Sequence, residues 1–274
     1  MTVTSVVPSE TELQSIELAC TKLWELDRNR LVPGVDYEIN LQRSTKPYRR
    51  GDSAPEPLFT YVRQDLLSEI PTFKLFFQLM DNYERGVGVC EDVTQEERRE
   101  NWDFLNGIME TWPMQYAYNW LTKTQKFNGN ASDFKRKLHE LWFSLYRRES
   151  RGDSSGFEHV FVGEERDGKV TGLHNWIQIY AEERNGRLDY KGYIKPRQRG
   201  RPPCEPHENE QLITIQFAWE SELKPISSSF IGVSPEFEMA LYTMCFMNGQ
   251  QDTRVVFNDY ECNIKCHSIG RGNR

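Results

Sequence analysis

Glu158-His159-Val160-Phe161-Val162-Gly163-Glu164-Glu165-Arg166-Asp167-Gly168-Lys169-Val170-Thr171-Gly172-Leu173-His174-Asn175-Trp176 is the stretch on which the reading of this chain turns. Asp167-Gly168 is a strong hairpin signal, because a two-residue type I′ turn needs φ > 0 at both central positions. The flanks, Glu158 to Glu164 and Val170 to Tyr180, are rich in β-branched and aromatic residues and read as two paired strands. A turn centred on Asp167-Gly168 places His159 opposite Trp176 and His174 opposite Phe161. Both histidines then share one face as diagonal neighbours, their Cβ atoms roughly 7–8 Å apart or less. That face also carries Gly163 and Gly172, which would leave its floor open to a ligand backbone. The opposite face, with Val160, Val162, Leu173, Ile177 and Ile179, reads as core. One strand histidine is ordinarily structural. Two on a common polar face beside glycines suit acid–base chemistry or metal binding.

Working outward, the 274 residues suffice for one large domain or two small lobes. No run approaches the ~18 apolar residues of a membrane helix. The N-terminus shows no basic stretch followed by an apolar one, so a cytoplasmic or nuclear protein is expected, or a secreted one if that terminus is incomplete. The six cysteines are scattered and form no small-domain disulfide framework. Cys262, Cys266 and His267 lack a second ligand pair at zinc-site spacing. The net charge of −7 speaks against nucleic-acid binding over the whole surface but leaves room for a local basic site.

Before Arg151 the periodicity is helical. Helices are expected over Glu10 to Leu31, from Thr94 with Glu97 in a capping box, from Tyr116 to Phe127, and from a Ser132 cap to Tyr146. Leu58 to Tyr83 reads as two helices broken at Pro71. Gln42 to Pro57 is a polar loop made basic by Arg43, Lys46, Arg49 and Arg50. The tryptophans read as core. After Arg151 strands are expected at Leu188 to Ile194, Leu212 to Trp219, Arg254 to Phe257 and Tyr260 to Cys266, with a helix opening at Ser234-Pro235-Glu236. Arg184 to Arg201 holds seven basic residues against Asp189 alone, which suggests an anion-binding run beside the hairpin. The tripeptide Arg151-Gly152-Asp153 carries no weight.

These residues resemble one family. Gly156 to Glu164, Gly172 to Trp176, Lys224 with Ser228-Ser229-Phe230-Ile231-Gly232, and Ser234-Pro235-Glu236-Phe237-Glu238 are similar in order and spacing to the EndoU (XendoU-type) poly(U)-specific endoribonucleases. Leu23-Trp24-Glu25-Leu26-Asp27 and Pro33-Gly34-Val35-Asp36-Tyr37 fit as well. The resemblance implies an α+β fold: an N-terminal helical lobe over 1–150, then antiparallel sheets with packed helices over 151–274, together one EndoU-like domain. It implies a catalytic set of His159, His174 and Lys224, with His174 as base and His159 as acid. Glu158 and Glu164 would support that set from the core face. Ser228 would contact the uracil, with Gly172, Trp176, Arg197 and Arg199 also expected at the substrate. The Tyr-Pro pair that the family carries near its end has no counterpart here, so no residue takes its stacking role.

The implied reaction is cleavage of single-stranded, U-rich RNA by the ribose 2′-hydroxyl, leaving a 2′,3′-cyclic phosphate and a 5′-hydroxyl. The rival is a non-catalytic U-rich RNA-binding module of the same fold. The resemblance also implies manganese dependence. With no dense carboxylate cluster in the sequence, an ion bound partly through RNA phosphates is the form expected. No membrane and no obligate protein partner are expected.

Overall fold

The computed structural model describes residues 6–49, 51–91, 93–195, 205–257 and 260–268. It begins with α1 (Glu10–Gln14), α2 (Ile16–Leu26), β1 (Tyr37–Ile39), β2 (Ser44–Thr45) and β3 (Phe59–Val62). Five helices follow: α3 (Gln64–Glu69), α4 (Pro71–Leu79), α5 (Gln95–Met109), α6 (Trp112–Lys123) and α7 (Ala131–Phe143). After one wide π-helical turn at Glu158–Val162 come β4 (Glu164–Arg166), β5 (Lys169–Thr171), α8 (Trp176–Arg184) and β6 (Leu188–Ile194). The last elements are β7 (Leu212–Trp219), β8 (Glu222–Phe230), α9 (Pro235–Met247), β9 (Asp252–Phe257) and β10 (Tyr260–Lys265). The expected α+β class holds.

Local chemistry sets the helix ends. Thr94 Oγ1 accepts from Glu97 N while the Glu97 carboxylate accepts from Thr94 N, the expected capping box. The α7 box forms two residues earlier than expected, on Asn130 and Asp133, because their side chains satisfy each other's backbone N–H. Ser15 divides the expected first helix in two by capping α2 through Leu18 N. Residues 59–62, expected in a helix, instead form β3, paired antiparallel with β1. Ser234 caps α9 and Pro235 opens it, as the sequence indicated.

The central sheet has the order β2-β6-β7-β8. β6, β7 and β8 form an antiparallel meander, and β2 adds itself in parallel to β6. β8 was not expected, since Pro225 and three serines argue against a strand. It lies at the sheet edge, where a missing backbone N–H removes no ladder bond.

One hydrophobic core runs from Ala19 in α2 to Phe257 in β9. Trp24 of α2 meets Phe230, Phe237 and Phe257 in an aromatic cluster. A second cluster joins Phe76 and Phe104 of the helical part to Phe157 and Phe161 around the π-helical turn. Each fully buried phenylalanine contributes roughly 1.5–3 kcal/mol. The turn that carries His159 is therefore seated on the N-terminal helices.

Candidate active site

The turn at Asp167-Gly168 and the register around it are as expected: Glu164 faces Thr171 and Arg166 faces Lys169. The strands stop there. Glu158–Val162 winds into a helical turn because Ser155 Oγ accepts from Glu158 N and the Glu158 carboxylate accepts from Ser155 N. Trp176–Arg184 is helical because Asn175 Oδ1 accepts from Ile177 N and Gln178 N. Apolar runs this short fit either period, and the two caps decide. His159 therefore sits on a helical turn and His174 in the connection between β5 and α8, not on paired strands.

Gly163 and Gly172 leave no floor open for a ligand. Both have positive φ, and a Cβ on Gly163 would meet Leu173 Cβ at 2.6 Å. A Cβ on Gly172 would stand 1.7 Å from the His159 carbonyl oxygen. The space is filled by the protein's own chain. Leu173 N donates to His159 O, and His174 N donates to Val160 O. These two bonds fasten the His174 connection onto the His159 turn.

His159 Nδ1 donates to Glu164 Oε2 at 2.5 Å. Glu164 is buried and also accepts from Ser154 Oγ at 2.6 Å and from Arg148 Nη1. Burial works to raise its pKa, but the bonds from His159 and Ser154 and the Arg148 charge outweigh it and hold the carboxyl below the usual range. An ionised Glu164 can only accept, so His159 keeps its proton on Nδ1 and presents Nε2 outward.

His174 Nδ1 donates to the Ser228 carbonyl oxygen at 3.2 Å, with Ser227 Oγ 3.5 Å away. Ser227 Oγ also donates to Leu173 O at 2.9 Å. The imidazole is held down at about 4, first by burial and next by the Lys224 charge; the presence of His159 adds to this. It is neutral at physiological pH, with a free lone pair on Nε2. Lys224, expected after a strand, lies within β8, where its buried Nζ donates to Gly172 O at 2.5 Å. Burial lowers it to about 8. Ser228 Oγ is exposed on β8 and bonds Thr214 Oγ1 of β7 at 2.9 Å.

The remaining expected residues divide. Glu158 is buried, and burial first and the Glu164 charge second push it up to about 9, so it stands protonated. Trp176 is a core residue, not a substrate contact. It is fully buried, its Nε1 donates to Val233 O, and its ring stacks on Tyr37. Arg197, Arg199 and Arg201 lie outside the described residues. Within the described part of that basic run Arg187 pairs with Glu182, Lys191 with Asp52 and Asp189, and Lys195 with Glu205. Beyond Asp189, the acids Glu182, Asp52 and Glu205 from outside the run pair with those cations, which a count within the run could not show.

Arg148, Ser154 and Ser227 were not singled out from the sequence. The signal nearest to Arg148 was the tripeptide ending in Asp153. Its buried carboxylate accepts from the backbone N–H of Gly88, Arg148, Glu149 and Ser150, building the turn that delivers Arg148. Among the described residues no group of three or more His, Cys, Asp or Glu side chains converges as a metal cage would require. Glu164 is fully engaged by His159, Ser154 and Arg148, so the donors beside the histidines do not fit a manganese ion held by protein alone. No described helix is long and apolar enough to cross a membrane.

A family model described as Endoribonuclease XendoU matches residues 15–274. The chain is 43% identical over 261 residues to poly(U)-specific endoribonuclease-B of Xenopus laevis, covering 91% of this chain and 88% of that protein. It is 44% identical over 254 residues to uridylate-specific endoribonuclease B of Danio rerio, covering 90% and 88%. A solved structure of XendoU, titled a splicing independent snoRNA processing endoribonuclease, superposes with a TM-score of 0.78 at 42% identity, over 95% of this chain and 93% of that one.

Proposed function

This chain belongs to the XendoU endoribonuclease family, and from that premise we propose that it cleaves single-stranded RNA at uridines by attack of the ribose 2′-hydroxyl on the adjacent phosphorus. The observation that carries the reading is the pair of anchored imidazoles. His159 and His174 each tie Nδ1 to a fixed acceptor and leave Nε2 free, with the Lys224 ammonium beside them.

The low pKa of His174 and the Glu164 carboxylate on His159 support the following division of roles. His174, neutral at working pH, takes the proton from the 2′-hydroxyl. The oxygen attacks in line, and the bond from phosphorus to the 5′-oxygen breaks. His159 gives that oxygen a proton, with the Glu164 carboxylate facing the positive charge that the ring carries as a donor. Lys224 offsets negative charge on the non-bridging oxygens, which grows toward the phosphorane. The products are a 2′,3′-cyclic phosphate and a 5′-hydroxyl. Glu164, Ser154 and Arg148 orient His159. Ser228 contacts the uracil in this reading, which its exposed hydroxyl beside the bond from His174 to its carbonyl supports.

Manganese in this reading would be bound partly through the phosphates of the RNA. The test is cleavage of oligouridine and oligoadenosine by the pure protein, with and without manganese, beside His159→Ala and His174→Ala. Preferential cutting of oligouridine, lost in both variants with the fold intact, is expected. Removing a positioned acid or base costs about 10²–10⁴ in rate. Wild-type turnover in either variant overturns the assignment.

A further inference from the structure

We propose that residues 43–49 form a second RNA subsite, which stacks the base of a nucleotide flanking the cut on Tyr48 and holds phosphates with Arg43, Lys46 and Arg49. The inference rests on the endoribonuclease reading and adds where the substrate strand is gripped outside the catalytic centre.

The segment Arg43-Ser44-Thr45-Lys46-Pro47-Tyr48-Arg49 holds three cations and no acid in a chain of net charge −7. All three are exposed. Among the described residues, none of their side chains makes an ion pair or hydrogen bond with an acid, whereas nearby Lys191 is taken by Asp52 and Asp189. They are free to meet phosphate.

Tyr48 occupies a position that packing does not explain. Arg49 N donates to Lys46 O, closing a four-residue turn with Pro47 second and Tyr48 third. Tyr48 has φ of +65°, which a type II turn requires at its third residue and which favours glycine or asparagine there. The fold keeps a strained tyrosine instead, with its side chain 74% exposed, so the ring buries almost nothing. Strain held at an exposed aromatic marks a site where the ring serves a ligand. An aromatic ring between cations is what single-stranded nucleic acid recognises, since every base has a face to stack.

The segment is held in place and aligned with the catalytic centre. Gln216 Nε2 of β7 donates to Arg49 O at 2.7 Å, and Gln42 is bonded both ways to the Glu56 backbone. Pairing puts Ser44, Tyr193, Ile215 and Ser227 in one row across the four strands. Ser227 touches the His174 ring. Three strand spacings of about 4.8 Å separate the row's ends by about 14 Å, a distance that a few nucleotides cover. Beside that row, half-buried Thr214 of β7 bonds exposed Ser228 of β8.

The test is equilibrium binding to an oligouridine blocked by 2′-deoxyribose at each nucleotide, measured over a range of salt. Tyr48→Ala should weaken binding on the order of tenfold, as removal of one stacking ring does, and Tyr48→Phe should retain affinity. Tyr48→Gly relieves the backbone strain, so weaker binding in that variant cannot come from misfolding. Replacing Arg43, Lys46 and Arg49 together by glutamine should flatten the plot of log affinity against log salt by about 2, at about 0.7 for each phosphate that is no longer neutralised. Wild-type affinity in Tyr48→Gly and Tyr48→Ala, with an unchanged salt slope in the triple variant, would overturn the proposal. Cleavage of the unblocked RNA by the wild-type protein is read separately and bears on the endoribonuclease reading alone.

Discussion

The backbone of Gly172 runs so close to His159 that a Cβ at position 172 would stand 1.7 Å from the His159 carbonyl oxygen. That approach, with the bond from Lys224 Nζ to Gly172 O, joins three separate elements. The His159 turn, the His174 connection and strand β8 meet at one residue without a side chain. Gly172→Ala should therefore act on all three candidate catalytic groups together. The positive φ alone costs a non-glycine residue roughly 1–2 kcal/mol, and the clash adds to it. Denaturant unfolding should show a loss beyond that range, together with most of the cleavage activity. A stable Gly172→Ala protein with the wild-type rate would show that the close approach is not required.

Glu164 holds His159 through a charged bond and is itself held by Arg148 and Ser154. Glu164→Gln keeps the shape but can turn an amide N–H toward His159 Nδ1, favouring the wrong tautomer. Cleavage should fall by about 10²–10⁴, as when the orienting carboxylate of a catalytic histidine is neutralised. Binding of a 2′-deoxy RNA should change little, because Glu164 is buried away from substrate. Affinity falling in step with rate would instead place Glu164 at the RNA.

Glu158 and Glu238 are buried carboxylates, raised by burial to about 9 and about 8 from an ordinary 4.5. In the unfolded chain both ionise near 4.5, so between there and their folded values the native state binds more protons. Their contribution to stability is full below 4.5 and is lost as pH rises through about 8 to 9. His174 acts the other way. Its folded value of about 4 lies below an ordinary 6.5, so its contribution is full above 6.5 and declines as pH falls toward 4. Glu158→Gln should thus gain on wild type steadily as pH rises from about 5 to about 9, measured by urea midpoints. A constant difference across that range would mean that Glu158 ionises normally when folded.

Lys224 is buried and donates to Gly172 O, and in the proposed reaction its charge offsets the negative charge that gathers on the phosphorane oxygens. Lys224→Ala should lower kcat by about 10²–10³ while weakening equilibrium binding much less. Lys224→Arg should restore activity only in part, since the planar guanidinium cannot reproduce a point donor to Gly172 O. Equal losses of rate and affinity would make the lysine a phosphate anchor.

Much of this was legible in the sequence because its signals are local. Asp167-Gly168 gave the turn and its register. Thr94 with Glu97, and Ser234 before Pro235, gave helix starts. The periods of β6 and β7 were clear because one face of each is buried. What failed was decided by interactions between distant segments. Val160 and Ile177 alternate like strand residues, yet the Ser155 and Asn175 caps make their segments helical. Trp176 shared the histidine face only in a strand. In a helix it turns into the core against Tyr37 and Phe73. Arg148 was invisible because its role depends on Glu164 and on the Asp153 turn, and neither spacing repeats in any short pattern. Pro225 concealed β8 until the topology placed that strand at an edge.

The assignment of His174 as base and His159 as acid around a 2′-hydroxyl nucleophile is tested most directly by the ends of the cleaved RNA. Single-turnover incubation of a uridine-containing RNA with the pure protein should yield 2′,3′-cyclic phosphate and 5′-hydroxyl ends. The same RNA carrying 2′-deoxyuridine at the cut nucleotide should bind and stay intact. Products ending in a 3′-hydroxyl and a 5′-phosphate, or cleavage at the deoxy position, would contradict the account, because neither can arise from attack by the 2′-oxygen.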